Sequence, residues 1–249
     1  MSFNGELFLL MVHLNTNNAL FSLRMKKNEN EIKKIKKPWA TKKVMKQVYE
    51  MNLWGTHNAE FYSGDGSHLP EIVRPYLATV SSFLRSFKKP ITVCDLGCGD
   101  FNVGKELVKH TCQYFAVDIV PELIAHLQLT CKDEKLKFLC LDISTDDLPT
   151  GECVILRQVL QHLSNIEVHH ILNKLKDFKF IILTEHLPNG SFTPNKNILS
   201  GQGIRIKKQS GIKIIAPPFN FQVKEEKQLL SYTLSENKGI IVTTLYTVF

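Results

Sequence analysis

A doubly wound α/β fold, with a mostly parallel sheet and an antiparallel hairpin at its C-terminal end, is what this 249-residue sequence predicts. Three observations point to it. Short apolar runs near 91–96, 114–118, 136–142, 152–157 and 178–184 alternate with segments of helical or mixed apolar spacing, a pattern that gives parallel strands joined by right-handed crossovers. The first of these runs ends in a glycine turn, Asp95-Leu-Gly-Cys-Gly99, as a strand does before it feeds a ligand-cradling loop. The last 21 residues read as two strands, 229–235 and 239–249, joined by Glu236-Asn-Lys-Gly239.

Taken in order, Val44, Val48 and Met51 fall at i, i+4 and i+7 and predict an amphipathic helix over 41–53, ended by Gly55. Trp54-Gly55 then opens a loop that closes with Ser63-Gly-Asp-Gly-Ser67, whose glycines allow backbone to come close to a ligand. Helical spacing resumes over 69–87, and Pro90 closes that segment. After the strand at 91–96, Val103 and Leu107 share one face of a helix running to about 110. Pro121 follows the strand at 114–118 in the favoured first-turn position of the next helix. Ser164-Asn-Ile-Glu167 is a capping box, with Val168, Ile171, Leu172 and Leu175 as the apolar stripe behind it. The near-continuous apolar run at 178–184 suits a parallel strand covered on both faces. Residues 187–226 are rich in Pro, Gly, Asn and Lys without a helical period, and read as an insertion before the hairpin.

The net charge of +7 is local, because ten Lys and Arg against two acids lie between Arg24 and Lys46 and leave the remainder about neutral. Such a leader is either a solvated tail or an attractor for RNA and anionic surfaces. The apolar run at 7–12 is shorter than the roughly 20 residues of a membrane helix. It follows Glu6 and has no cleavage site, which argues against a signal peptide. Met25 is a plausible alternative start, which makes 1–24 an extension. The six cysteines have neither Cys-x-x-Cys nor zinc-ligand spacing, so they read as reduced, buried residues of a cytoplasmic protein without a metal site.

Asp118 ends the second apolar run 21 positions after Gly97, the spacing that sets a carboxylate on a ribose when two parallel strands lie side by side. An adenosine-type cofactor is therefore expected. A dinucleotide is not, since position 102 is Asn, Gly104 is out of register, and Asp95 and Asp100 would repel a pyrophosphate. No Gly-Lys-Ser/Thr loop is present.

Val93-Cys-Asp-Leu-Gly-Cys-Gly99 resembles motif I of the class I S-adenosylmethionine-dependent methyltransferases; Asp118 resembles their ribose-binding acid and Leu141-Asp142-Ile143 their adenine-edge motif. The resemblance covers about 90–186. It implies a Rossmann-like, mostly parallel seven-stranded sheet with helices on both faces, and S-adenosylmethionine as cofactor, held by Asp95, Gly97, Gly99, Asp118, Ile119, Asp142 and Ile143. It also implies Gln158 and Arg157 along the methionine part, with Arg157 pairing with the cofactor carboxylate or Asp95, and Trp54 and Ser67 in a lid. On this basis the chain divides into a basic, partly disordered extension over 1–40, a helical cap or lid over 41–90, and a cofactor-binding methyltransferase domain over 91–249 with a substrate-binding insertion at about 187–226.

Methyl transfer from a sulfonium needs an acceptor held about 3 Å from an activated carbon and, for a hydroxyl, a base to take its proton. Candidates lie beyond the carboxyl ends of the strands. His186, after the fifth strand, is the first choice of base; His162 is the second, with a structural role as its alternative. Residues 198–221 would form the acceptor pocket, with Arg205, Lys207 and Lys208 available to an acidic substrate. The Asn-Pro-Pro-Tyr-like motif of amine methylases is replaced by Leu156-Arg-Gln-Val159, which disfavours an amine acceptor. The expected activity is transfer to a small-molecule or glycan hydroxyl. The alternatives are an RNA methyltransferase that uses the basic leader, and a non-catalytic partner protein that keeps the cofactor fold.

Overall fold

The computed structural model describes residues 38–56, 60–235 and 238–249. The expectations for the leader, for the run at 7–12 and for Glu236-Asn237 of the final turn lie outside the described residues. Residues Trp39–Phe249 cluster as one compact unit. Its elements are α1 (Thr41–Glu50), α2 (Pro70–Arg85), β1 (Thr92–Leu96), β2 (Gln113–Asp118), α3 (Pro121–Thr130), β3 (Leu136–Cys140), β4 (Cys153–Arg157), α4 (Asn165–Leu175), β5 (Phe180–Leu187), β6 (Glu225–Thr233) and β7 (Ile240–Thr247). The strands form one seven-stranded sheet in the order β3-β2-β1-β4-β5-β7-β6. β1 to β5 pair in parallel, and β7 runs antiparallel to both β5 and β6.

β1 has neighbours on both sides, β2 and β4, so the chain leaves it in one direction and later returns to the other. That reversal opens a crevice beyond the carboxyl ends of the strands. The central strands are buried on both faces, with Val93, Cys94, Leu96, Val154 and Leu156 fully shielded, as parallel strands between helical layers must be. β6 forms the outer edge and exposes Glu225, Glu226, Lys227 and Gln228, charges that discourage edge-to-edge association.

Four local readings differ from the sequence expectation. α1 stops at Glu50, because the Leu53 amide turns back to the Val48 carbonyl and Asn52 adopts φ +50. Its buried face is Met45, Val48 and Tyr49, while Met51 is 58% exposed. The segment after β1 forms two 3-10 turns, Gly104–Glu106 and Val108–His110, in place of an α-helix. Phe101, at φ +62, breaks the helical path there, and its buried ring lies against Gly104, Tyr114 and Phe138. β5 extends three residues past 184, because all eight of its residues pair with β7. All six cysteines are free, but Cys112 and Cys140, at strand ends, are exposed and not buried. Among the described residues no helix is long and apolar enough to cross a membrane.

The capping box is present: Ser164 Oγ accepts from the Glu167 amide and Glu167 Oε2 accepts from the Ser164 amide. The Glu167 carboxylate also accepts from Thr41 of α1 and Ser200 of the insertion, so one helix cap joins three segments. Ser164→Ala is expected to cost about 1 kcal/mol of stability, read by denaturant unfolding.

Candidate functional site

A cavity of about 420 Å³ lies in the crevice. Its floor comes from the loops after β1, β2, β3 and β4 and from His186 on β5; its roof comes from α1, Trp54, 63–67 and the insertion.

The glycine loop is built for close approach. Gly97 has φ +82 and Gly99 φ +56, and the Gly97 and Cys98 amides both donate to the Val117 carbonyl. A Cβ at Gly97 would lie 2.4 Å from Val159 Cγ2, and one at Gly99 would lie 2.3 Å from Ser63 Oγ. Asp118 is held by two amides, Gly99 N to Oδ2 and Val120 N to Oδ1, each at 3.1 Å. Burial raises its pKa, against the lowering effect of these N–H groups. Asp142 Oδ1 accepts from the Ser144 amide at 2.9 Å and its hydroxyl at 2.6 Å. Ile119, Leu141 and Ile143 line the cavity beside the two acids. Two anchored carboxylates flanking an apolar slot match the two ends of an adenosine, with hydroxyl donors at one end and an exocyclic amine at the other.

Asp95 lies on the other side of the glycine loop, outside the large cavity. It accepts from Tyr114 Oη at 2.8 Å and borders a small cavity of about 30 Å³ with Tyr76 and Arg157. Burial raises its pKa to about 6, opposed by the Tyr114 hydrogen bond and the Arg157 charge. Tyr76 Oη and Arg157 Nε are buried without a partner. The Arg157 guanidinium lies 4.9 Å over the Tyr76 ring, and its other nitrogens donate to Ser67 Oγ at 3.1 Å and to the Gly66 carbonyl. Arg157 therefore bonds the roof, not Asp95. The two cavities share Ser67, Gly97, Cys98 and Arg157 in their walls. Two orphaned donors beside a carboxylate suit a ligand end carrying both a carboxylate and an ammonium.

The roof is tied down at several points. Ser63 N donates to Asp100 Oδ2 at 2.7 Å, Asp100 N donates to Ser63 Oγ at 2.8 Å, and His68 Nε2 lies 2.6 Å from the same carboxylate. Tyr49 Oη reaches Ser63 Oγ at 3.0 Å, and Asn102 Nδ2 donates to the Ser67 carbonyl. Trp54 stands edge-on to Tyr49 and tilted over His162, with centroids 5.4 and 5.2 Å apart. Gln158, at φ +59, faces Gly66 so closely that a Cβ there would lie 2.3 Å from its Oε1.

The two histidines differ. His162 has both nitrogens engaged: Nδ1 donates to the Gly201 carbonyl at 3.1 Å, which leaves Nε2 to accept from Gln161 Nε2 at 3.3 Å. Burial lowers its pKa to about 4. His186 is partly buried, and its Nε2 donates to the Lys238 carbonyl, which makes Nδ1 the unprotonated nitrogen. Burial lowers its pKa as well, against the Lys238 hydrogen bond.

Arg205 departs from expectation. It is 1% exposed, lies outside the cavity wall and spends its N–H groups on protein acceptors, so it is not free for an acidic substrate. Lys208 turns to the Asn197 carbonyl, and Lys207 does line the cavity. Tyr49, Gln161 and Glu167 line the cavity without having been expected there, whereas Ser63 belongs to the glycine-serine loop that was. The signal for Tyr49 was its place beside Val48 on an amphipathic helix; Gln161 carries none.

The family model for a methyltransferase domain matches residues 93–178. None of the curated proteins matches the sequence. Among solved structures, the N-methyltransferase NodS from Bradyrhizobium japonicum, in complex with S-adenosylhomocysteine, superposes with a TM-score of 0.57 at 12% identity, covering 82% of this chain and 98% of that one. Human N-acetylserotonin methyltransferase with S-adenosylmethionine gives 0.52 at 15% identity, covering 84% and 60%. Magnesium protoporphyrin IX methyltransferase from Synechocystis, with S-adenosylmethionine bound, gives 0.51 at 12% identity, covering 86% and 99%. At identities this low the likeness shows the fold.

Proposed function

We infer, from the premise that this chain carries a class I S-adenosylmethionine-dependent methyltransferase domain, that its acceptor is a hydroxyl of a small molecule or glycan, with His186 as general base. S-adenosylmethionine supplies a methyl carbon already activated by the positive sulfur. The protein has to orient the two reactants, exclude water and take up a proton.

Asp118 is the ribose acceptor in this reading, Asp142 with Ile119 and Ile143 holds the adenine, and Gly97 and Gly99 let the backbone come close beneath. Asp95, Tyr76 and Arg157 take the amino-acid end; Trp54, Ser67 and Gln158 close the roof. We read 41–90 as the cap and the insertion at 187–226 as the acceptor side. The free thiols suit the reducing cytoplasm.

The observation that carries the hydroxyl assignment is the fixed tautomer of His186. Its Nε2 proton is committed to the Lys238 carbonyl, and burial keeps the ring neutral at physiological pH, so Nδ1 has a lone pair for a hydroxyl proton. His162 serves this purpose poorly, since its lone pair is engaged by Gln161 and its proton affinity is low. We assign it to the support of Trp54.

Labelled methyl transfer into cell extracts, with the product digested by glycosidase, nuclease or protease, tests the acceptor class. A nuclease-sensitive product supports the RNA alternative and overturns ours. His186→Gln is expected to lower transfer by about a hundredfold or more, with S-adenosylhomocysteine affinity unchanged. Activity should be lost as pH falls and Nδ1 takes a proton. Because burial lowers the pKa from 6.5, the midpoint of that loss should lie below 6.5. A glutamine variant with the wild-type rate removes His186 from the chemistry.

A further inference from the structure

The cavity wall on the acceptor side comes from two segments far apart in sequence, the turn after β4 that carries Gln161 and His162 and the insertion that carries Gln202 to Ile204. Arg205 joins them. Its Nη1 donates to the carbonyls of Leu160 and Gln161 at 3.0 and 3.2 Å, and its Nη2 donates to the Leu163 carbonyl at 2.7 Å and Asn165 Oδ1 at 2.8 Å. Nε donates to the Lys196 carbonyl at 3.0 Å. A guanidinium has five N–H groups, and all five are used. Three go to the carbonyls of Leu160, Gln161 and Leu163, in and just after a single 3-10 turn, Leu160–His162, whose Leu160 carbonyl also accepts the Leu163 amide.

The consequence passes through Gln161. With its carbonyl fixed by Arg205, the Gln161 side chain accepts from the His186 amide at 3.1 Å through Oε1 and meets His162 Nε2 through Nε2. One buried cation thus sets the residue that touches both cavity histidines. Among the described residues no carboxylate lies in ion-pair contact with it, although the buried Glu185 carboxyl acts on it through space. The charge is satisfied by carbonyl oxygens, and planarity is what lets it reach them all. A lysine ammonium has three donors and no fork.

We propose that Arg205 is a positioning residue for methyl transfer, which acts through Gln161 to fix His186 and His162 against the acceptor. This rests on the acceptor-side reading above, but it does not depend on which acceptor is used.

Two variants test it. Arg205→Lys keeps the charge and removes the fork, whereas Gln161→Leu keeps Arg205 and removes the relay. In each, calorimetric affinity for S-adenosylhomocysteine should stay within about twofold of wild type, because the cofactor acids have their own anchors. Transfer of labelled methyl into the acceptor-containing extract fraction should fall by up to about a hundredfold, the effect of a 1 Å misplacement, and the loss should lie in kcat. Long-range nitrogen–proton NMR of histidine-labelled protein needs no acceptor. Wild type should show Nδ1–H for His162 and Nε2–H for His186; the Gly201 and Lys238 carbonyls keep these tautomers in both variants, whereas the His162 Nε2 and His186 amide resonances should move as the Gln161 bonds are displaced or lost. If Arg205→Lys does not fold, Gln161→Leu decides. Wild-type kcat in a folded Gln161→Leu protein, or unmoved histidine resonances in a folded Arg205→Lys protein, overturn the proposal. A wild-type enzyme that labels no hydroxyl acceptor defeats the hydroxyl reading alone, since the resonance comparison still stands.

Discussion

Asp118→Ala is expected to weaken S-adenosylhomocysteine binding by about ten- to a hundredfold, the equivalent of one charge-assisted pair of about 1.5–3 kcal/mol. Each carboxylate oxygen already accepts one backbone N–H, from Gly99 or Val120, and each retains a lone pair for a ribose hydroxyl. Alanine removes both functions, so the folded protein should also lose stability as two buried amides are left unpaired. Asp118→Asn separates the effects: its oxygen keeps one amide partner, and affinity should fall more than melting temperature. Calorimetry on a folded asparagine variant with wild-type affinity would remove Asp118 from the cofactor site. Because burial raises the Asp118 pKa, wild-type affinity should begin to fall at a higher pH than it would with an ordinary aspartate, as the acceptor becomes protonated.

Gly66→Val should impair turnover far more than folding. The added Cβ would sit 2.3 Å from Gln158 Oε1, and the neighbouring Gly66 carbonyl anchors Arg157, so the roof or Gln158 must shift. A shift of about 1 Å is enough for a hundredfold loss of rate, while the surrounding core is unaffected. Hydrogen exchange gives the complementary reading: saturating S-adenosylhomocysteine should protect the amides of 60–67 along with those of 95–101. Protection confined to 95–101 would mean that 60–67 is a fixed wall and not a lid. The Ser63 amide, already bonded to Asp100, should be slow to exchange even without ligand.

What could be read from the sequence follows from the range of the forces involved. The five parallel strands and the capping box at Ser164 are set by local apolar patterning and by contacts three residues apart, so they were legible. The helix expected after β1 was not formed because one residue, Phe101, takes a left-handed conformation to bury its ring beneath the glycine loop. No periodicity carries that information. The glycine turn and its distance to Asp118 predicted an adenosine site, yet Asp95, one loop width away, faces the opposite side of the sheet end. Arg205 looked like a surface cation among Lys207 and Lys208. Its burial depends on carbonyls some forty residues earlier that converge on one point only once the turn at 160–162 has formed. Tyr49 entered the site in the same way, through contacts made after the chain had folded back.

The place of β7 in the sheet bears on how the chain is made. β5 is complete at Leu187, but its outer edge stays open until β7, starting at Ile240, inserts between β5 and β6. At about 5–20 residues per second, a ribosome leaves that apolar edge uncovered for several seconds, a template for pairing with other nascent chains. The Lys238 carbonyl that orients His186 also arrives only with this last hairpin. A chain stalled before residue 238 would therefore be both sticky and without an oriented base, so completion of the sheet and competence for the proposed chemistry are reached in one step.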